Sequence, residues 1–328
     1  MQQGSPVWTD SLESVGLRPH PRLLRIPGSA WWRSVASVAV LGFVFLFAQL
    51  VLTLFEVVLF GGFGGYLGPV QADGTLGGPV PVVYGVALNL LYVGAAVLAV
   101  RVGFGVTGGW LLSVAGRWRW GWSGICAAGA VVVALAVVVL GLTGLAGRVT
   151  PSESHPATLA AAPALGWLLL AVAVAVSTAA LEEVAIRGWL AQAAGSLASS
   201  PVVGVLLAAA VSTAAFVWRR SPVGPGETAT LAALGLVLFL LVWSTGGLEA
   251  SMALNAGLQL AALAPWASRY GLDAAVDVPA AGPGELLVAV GVAAALALAG
   301  RRLGLQRRGR PEQETRELSD LSGLRGVG

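Results

Sequence analysis

The stretch GWLLLAVAVAVSTAALEEVAIRGWL, residues 166–190, runs for sixteen residues without a charge and then sets Glu182, Glu183 and Arg187 within six positions. An apolar run of about 20 residues is long enough to cross the hydrocarbon core of a bilayer as a helix, and the window 162–181 supplies one. Two carboxylates and a guanidinium at the end of such a run are costly there. Ionisable groups at membrane depth face a bundle interior or a water-filled cavity. The stretch therefore reads as a membrane helix that ends in a polar site.

Composition supports the same class. Only 11% of the 328 residues are charged and 56% are hydrophobic, with a mean hydropathy of +0.81, whereas a soluble domain carries roughly 25% charged residues. All 19 basic residues are arginine, which with the Ala, Gly and Val richness points to a GC-rich genome. The single cysteine, Cys126, has no partner for an internal disulfide, and no Cys/His spacing suits a metal. No cofactor and no metal are expected. The two histidines, His20 and His155, both fall outside the apolar segments. The first apolar stretch begins after about thirty residues and runs too long for a signal-peptide core, so it is expected to stay as a span.

Windows of suitable length lie near 34–60, 79–101, 122–147, 162–181, 201–218, 229–245, 248–266 and 284–300. The expected fold is all-α, a polytopic membrane protein of about eight helices in one bundle over 34–300. Residues 1–33 form an N-terminal segment and 301–328 a disordered basic tail. Helices satisfy their backbone internally, as hydrocarbon requires. Arginines cluster before the first span, between the second and third, and after the last. An even number of spans puts all three clusters on one side, which the positive-inside rule makes cytoplasmic. The expected location is thus the cell membrane with both termini cytoplasmic. The connections 61–79 and 148–161, the latter with His155, face outward. On this topology the Glu182–Arg187 group lies at the cytoplasmic end of the fourth span, while Arg219 and Arg220 fall on the outer side, against the rule.

On an α-helix, Glu183 and Arg187 are i,i+4 neighbours in the favourable order for an ion pair. Glu182 is rotated by about 100° and points elsewhere. The EEVAIRG run, residues 182–188, resembles the EExxxRG signature of the CAAX-protease and bacteriocin-processing (Abi, or prenyl-protease-like) family of intramembrane proteases. Two further stretches are similar to that family's other motifs: VSTAAFVWRR (211–220) and VWSTGGLEASMALNAGLQL (242–260). HPRLLRIPGSAWWRS and SVAGRWRWGW look like its actinobacterial branch, and the resemblance covers roughly residues 18–300. It implies an eight-helix intramembrane endopeptidase that needs no metal. Glu182 and a second-motif His would activate water, a third-motif His and Asn would stabilise the oxyanion, and Glu183 with Arg187 would orient the helix end.

This chain departs from the pattern at both histidines. Arg220 stands at the second-motif His position, Asn255 at the third-motif His position, and Gln259 at the Asn position. Arginine donates hydrogen bonds but cannot accept a proton. Beside Glu182 it would favour the ionised carboxylate and weaken it as a base. Asn255 keeps a neutral donor for an oxyanion, and Gln259 imitates Asn with one extra methylene. Losing a general acid/base typically costs about 10²–10⁴-fold. The expected reading is therefore a CAAX-type endopeptidase fold with impaired catalysis. The alternatives are a non-catalytic scaffold or peptide-binding relative, bacteriocin-immunity-like, and, third, a transporter. The expected partners are the lipid bilayer and a membrane-associated peptide or protein substrate, with no nucleic acid. Glu249 reads as a solvated cap, Asn89 as an interhelical hydrogen-bonding residue, and Trp189 and Trp218 as interfacial aromatics.

Overall fold

The computed structural model describes residues 18–24, 32–60, 80–142, 164–222, 224–270, 282–305 and 307–309. Helices make up nearly all of it: α1 (Trp32–Phe60), α2 (Val80–Phe104), α3 (Trp120–Leu142) and α4 (Ala164–Leu181). Helix α4 continues through a π-helical segment (Glu182–Leu190) into α5 (Ala191–Leu197). Then follow α6 (Pro201–Arg220), α7 (Pro225–Thr245), α8 (Glu249–Tyr270) and α9 (Pro283–Arg302). The starts of α6, α7 and α9 carry a proline in the first turn, where its missing N–H is not needed. Ser200 caps α6 by accepting from the Val203 amide, and α7 ends at Gly246 in the left-handed region, φ 70°.

Among the described residues, seven helices are long and apolar enough to cross a membrane, with α4 and α5 together forming one 33-residue run, Leu165–Leu197. The architecture is all-α and polytopic. The eighth expected span, 248–266, is a helix, α8, but does not belong to the seven, because Glu249, Asn255 and Gln259 lower its hydropathy. Instead α8 occupies the middle of the bundle and packs most extensively on α3 and α4. A Cβ on its Gly257 would fall 2.5 Å from the Ala130 carbonyl oxygen of α3, so the two backbones meet directly. Such close approach through small residues is how membrane helices gain packing. Buried Trp122, Leu238, Leu254 and Leu296 from α3, α7, α8 and α9 form one core, while Phe43, Leu46, Leu135 and Leu206 stay exposed on the outside, as lipid-facing positions do.

The fourth helix does not stop at Leu181. It runs sixteen residues further, and the EEVAIRG group is internal to it. The charges are paired inside the bundle, so they do not end the helix. Trp189 is likewise not interfacial: it is 5% exposed and donates Nε1–H to Ser37 Oγ at 3.3 Å. Asn89 of α2 donates to Ser177 Oγ and Thr178 Oγ1 of α4, at 3.2 and 3.0 Å, as an interhelical bond.

One end of the bundle gathers both described chain ends and the α2–α3 connection. Arg18–Pro19 pairs antiparallel with Arg308–Gly309. His20 Nε2 donates to the Leu111 carbonyl at 2.9 Å, and Arg22 reaches the carbonyls of Ala198 and Ser199 beyond α5. Leu23 and Leu24 are fully buried beside Val184, Trp189 and Leu248. Burial drives the His20 imidazole down from 6.5 to about 4, with the Arg119 charge adding to it and the Leu111 carbonyl opposing. Of the stretch 301–328, α9 continues through Arg302 and 308–309 forms the strand; residues 310–328, the connections 61–79 and 143–163, and His155 lie outside the described residues.

The α7–α8 turn is zipped to the α2–α3 connection. Ser113 and Gly247 form a β-bridge, Val114 N donates to Gly246 O and Leu248 N to Leu112 O, both at 2.8 Å. Glu249, expected as a solvated cap, is 1% exposed. It accepts from Arg119 Nε at 2.8 Å, Nη2 at 2.6 Å and the backbone N at 3.2 Å. The bidentate pair holds because the adjoining glycines leave room: a Cβ on Gly247 would lie 2.3 Å from both Arg119 Nη2 and Glu249 Oε2.

Candidate active site

Glu182, Glu183 and Arg187 come from the π-helical segment, Phe216, Arg219 and Arg220 from the end of α6, and Asn255 and Gln259 from α8. A π-helix closes i→i+5 bonds, so each turn holds more residues than the α-helix's 3.6 and neighbours diverge by less than about 100°. Glu182, expected to point away from the Glu183–Arg187 pair, therefore turns inward with it. Glu182, Glu183 and Arg187 are all within 1% of fully buried.

Asn255 ties the two carboxylates together. Its Nδ2 donates to Glu182 Oε2 at 2.8 Å and to Glu183 Oε1 at 3.2 Å. Arg220 Nη2 donates to Glu182 Oε2 at 2.9 Å and to Asn255 Oδ1 at 3.4 Å, and Gln259 Nε2 donates to Asn255 Oδ1 at 3.2 Å. Arg187 Nη1 donates to Glu183 Oε1. The Phe216 ring packs against both guanidinium groups, with Arg187 4.7 Å and Arg220 5.3 Å from its ring centre. Arg219 Nε stands 3.8 Å from Glu182 Oε1, an ion-pair distance but no hydrogen bond. The structure thus brings together all six residues singled out from the motifs, and adds Phe216 and Arg219.

This arrangement limits the chemistry. Two carboxylates face three guanidinium groups, leaving the cluster one positive charge in excess. Glu182 Oε2 already accepts two bonds, and neither donor can take a proton from water. Asn255 has two N–H donors and both are spent on carboxylates, so it does not offer the oxyanion donor expected of it. Buried Glu182 Oε1, Glu183 Oε2, Arg187 Nε and Nη2, and Arg220 Nε have no hydrogen-bond partner among the described residues. Atoms of this kind are where a substrate's polar groups would bond. No group of His, Cys, Asp or Glu suited to a metal occurs among the described residues.

His20, the one described histidine, donates Nε2–H to Leu111 O at the other end of the π segment, beside Gln192, and does not enter the cluster. Arg219 was legible only as a charge on the wrong side of the topology. Nothing in the spacing signalled the contact of Phe216 with both arginines or the π-helical turn.

Residues 163–261, which run from the start of α4 into α8, match the family model described as type II CAAX prenyl endopeptidase Rce1-like. The chain matches no curated protein and no solved structure.

Proposed function

Because residues 163–261 match the Rce1-like CAAX endopeptidase family model, we propose that this chain keeps the family's intramembrane protease fold while an ion-pair network occupies its hydrolytic centre. It acts as a peptide-binding relative with little or no turnover. The observation that carries this is the double engagement of Glu182 Oε2 by Arg220 and Asn255. An oxygen engaged by two donors in this way is poorly placed to take a proton from water. Loss of the base and of the oxyanion donor each cost roughly 10²–10⁴-fold. The arginine-rich end bearing Arg18 and Arg308 is cytoplasmic by the positive-inside rule, and the membrane is the cell membrane.

A second reading, residual hydrolysis, is favoured by Glu182 Oε1, which accepts no hydrogen bond. One experiment separates the two. The full chain in lipid nanodiscs is given quenched-fluorophore membrane peptides, prenylated and not, beside Glu182→Gln and the double variant Arg220→His/Asn255→His. The proposal expects the wild type to match Glu182→Gln at background and the double variant to exceed both. Wild-type cleavage that Glu182→Gln abolishes would overturn it.

A further inference from the structure

Helices α3 and α9 run antiparallel, and Gly300 of α9 brings them together: a Cβ there would lie 3.8 Å from Trp122 of α3. Within a few residues of this contact, Arg117, Arg301 and Arg302 are all exposed. None of the three forms an ion pair among the described residues. Glu249, beside Arg119 on the neighbouring α7–α8 turn, is buried and committed to that arginine. Exposed Arg117 thus precedes α3, exposed Arg301 and Arg302 close α9 at the same end, and none of them pairs with a carboxylate among the described residues.

Aromatic and apolar groups complete it. Trp120 is 79% exposed and packs edge-on against Trp118, ring centres 6.2 Å apart. Tryptophans in such positions settle at headgroup depth. Further along the same two helices, towards the middle of the bilayer, Ile125 (43% exposed) and Leu298 (57% exposed) face outward. The order along the surface is thus arginine, tryptophan, hydrocarbon. It parallels the order of phosphate, glycerol and acyl chain in a phospholipid.

We propose that this α3–α9 corner is a binding site for an anionic phospholipid, its phosphate held by Arg117, Arg301 and Arg302 and its upper acyl chain lying on Trp120. The charge excess selects against zwitterionic lipids, whose own cationic group would meet the arginines. The placing is local. Elsewhere, Arg33 and Arg101 flank α1 and α2, but Arg33 is half-buried over Trp32. The proposal is independent of whether the Glu182 cluster hydrolyses peptides.

The test is quenching of tryptophan fluorescence in the full chain by brominated phosphatidylglycerol against brominated phosphatidylcholine. Trp120→Phe identifies the contribution of the corner. The expected result is a preference of roughly tenfold or more for the anionic lipid in the Trp120-dependent signal, with each Arg→Gln change at 117, 301 or 302 removing about fivefold. The preference falls with added salt, since the Debye length shrinks to about 10 Å at 0.1 M. The three arginines are exposed, and unchanged melting temperatures confirm that the variants fold. Equal quenching by both lipids, or a preference that survives the triple Gln variant, would overturn the site. Either outcome would mean that this surface is ordinary lipid contact or is covered by another part of the chain.

Discussion

Replacing Arg220 by Gln should expose how firmly Glu182 is held. The carboxylate is 1% exposed and its Oε2 takes one bond from Arg220 and one from Asn255. Removing one partner of a fully buried pair costs about 3–5 kcal/mol. Arg220 is 28% exposed at its side chain, and Asn255 and Arg219 remain nearby, so about 2–3 kcal/mol is the better figure after solvent screening. Glu182→Gln leaves the half-solvated guanidinium unmatched and should cost about 1–2 kcal/mol. The double variant keeps neither charge and should be no less stable than Arg220→Gln alone, which makes the coupling about 1–2 kcal/mol. Reversible unfolding in mixed detergent micelles, titrated with denaturing detergent, measures all four corners of the cycle. Costs that add to within about 0.5 kcal/mol would mean that the two side chains do not interact, and the account of the occupied base would fail with them.

Acid should loosen the N-terminal strap. His20 is held neutral with its affinity for protons lowered to about 4, so the unfolded chain binds a proton between pH 6.5 and 4 that the folded one refuses. The contribution is complete above pH 6.5 and is lost as pH falls, to about 3 kcal/mol in total; melting curves of wild type and His20→Gln across this range should converge at low pH. Gly247→Ala drives a methyl into the Arg119–Glu249 pair and, at 3.0 Å, against the Leu112 carbonyl, so a loss of about 2–4 kcal/mol is expected in the same unfolding assay. Gly195→Ala places a methyl 2.2 Å from the Pro21 carbonyl. It should free the strap, read as faster amide exchange over residues 18–24 with little change in α7 or α8.

Much of the fold was legible because hydrocarbon leaves few choices. Long Ala/Val/Leu runs must be helices, and the pairing of Arg18 with Gly309 sets both described ends at one end of the bundle. Pair geometry was legible only where the helix type was. Glu183 and Arg187 meet as i,i+4 spacing demands, but the inward turn of Glu182 depends on a π-helical segment that composition does not announce. Glu249 misled for a related reason. A carboxylate after TGG looks solvated until Arg119, 130 residues away, is known to cover it. The polar residues of α8 likewise lowered its hydropathy, and their partners on α4 and α6 could not be seen from α8 alone.

The strand that joins Arg18 to Gly309 links residues almost the whole chain apart. At synthesis rates of roughly 5–20 residues per second, the first partner waits about 15–60 s for the second to leave the ribosome. Leu23 and Leu24, buried in the finished bundle, have no complete berth until Val242 and Leu248, at the end of α7 and beyond it, have been made. For most of its synthesis the nascent chain therefore trails a loose, partly greasy leader beside the translocon. Its closure is among the last events of assembly, and a lesion that slows the final helix would show first at the opposite end of the polypeptide.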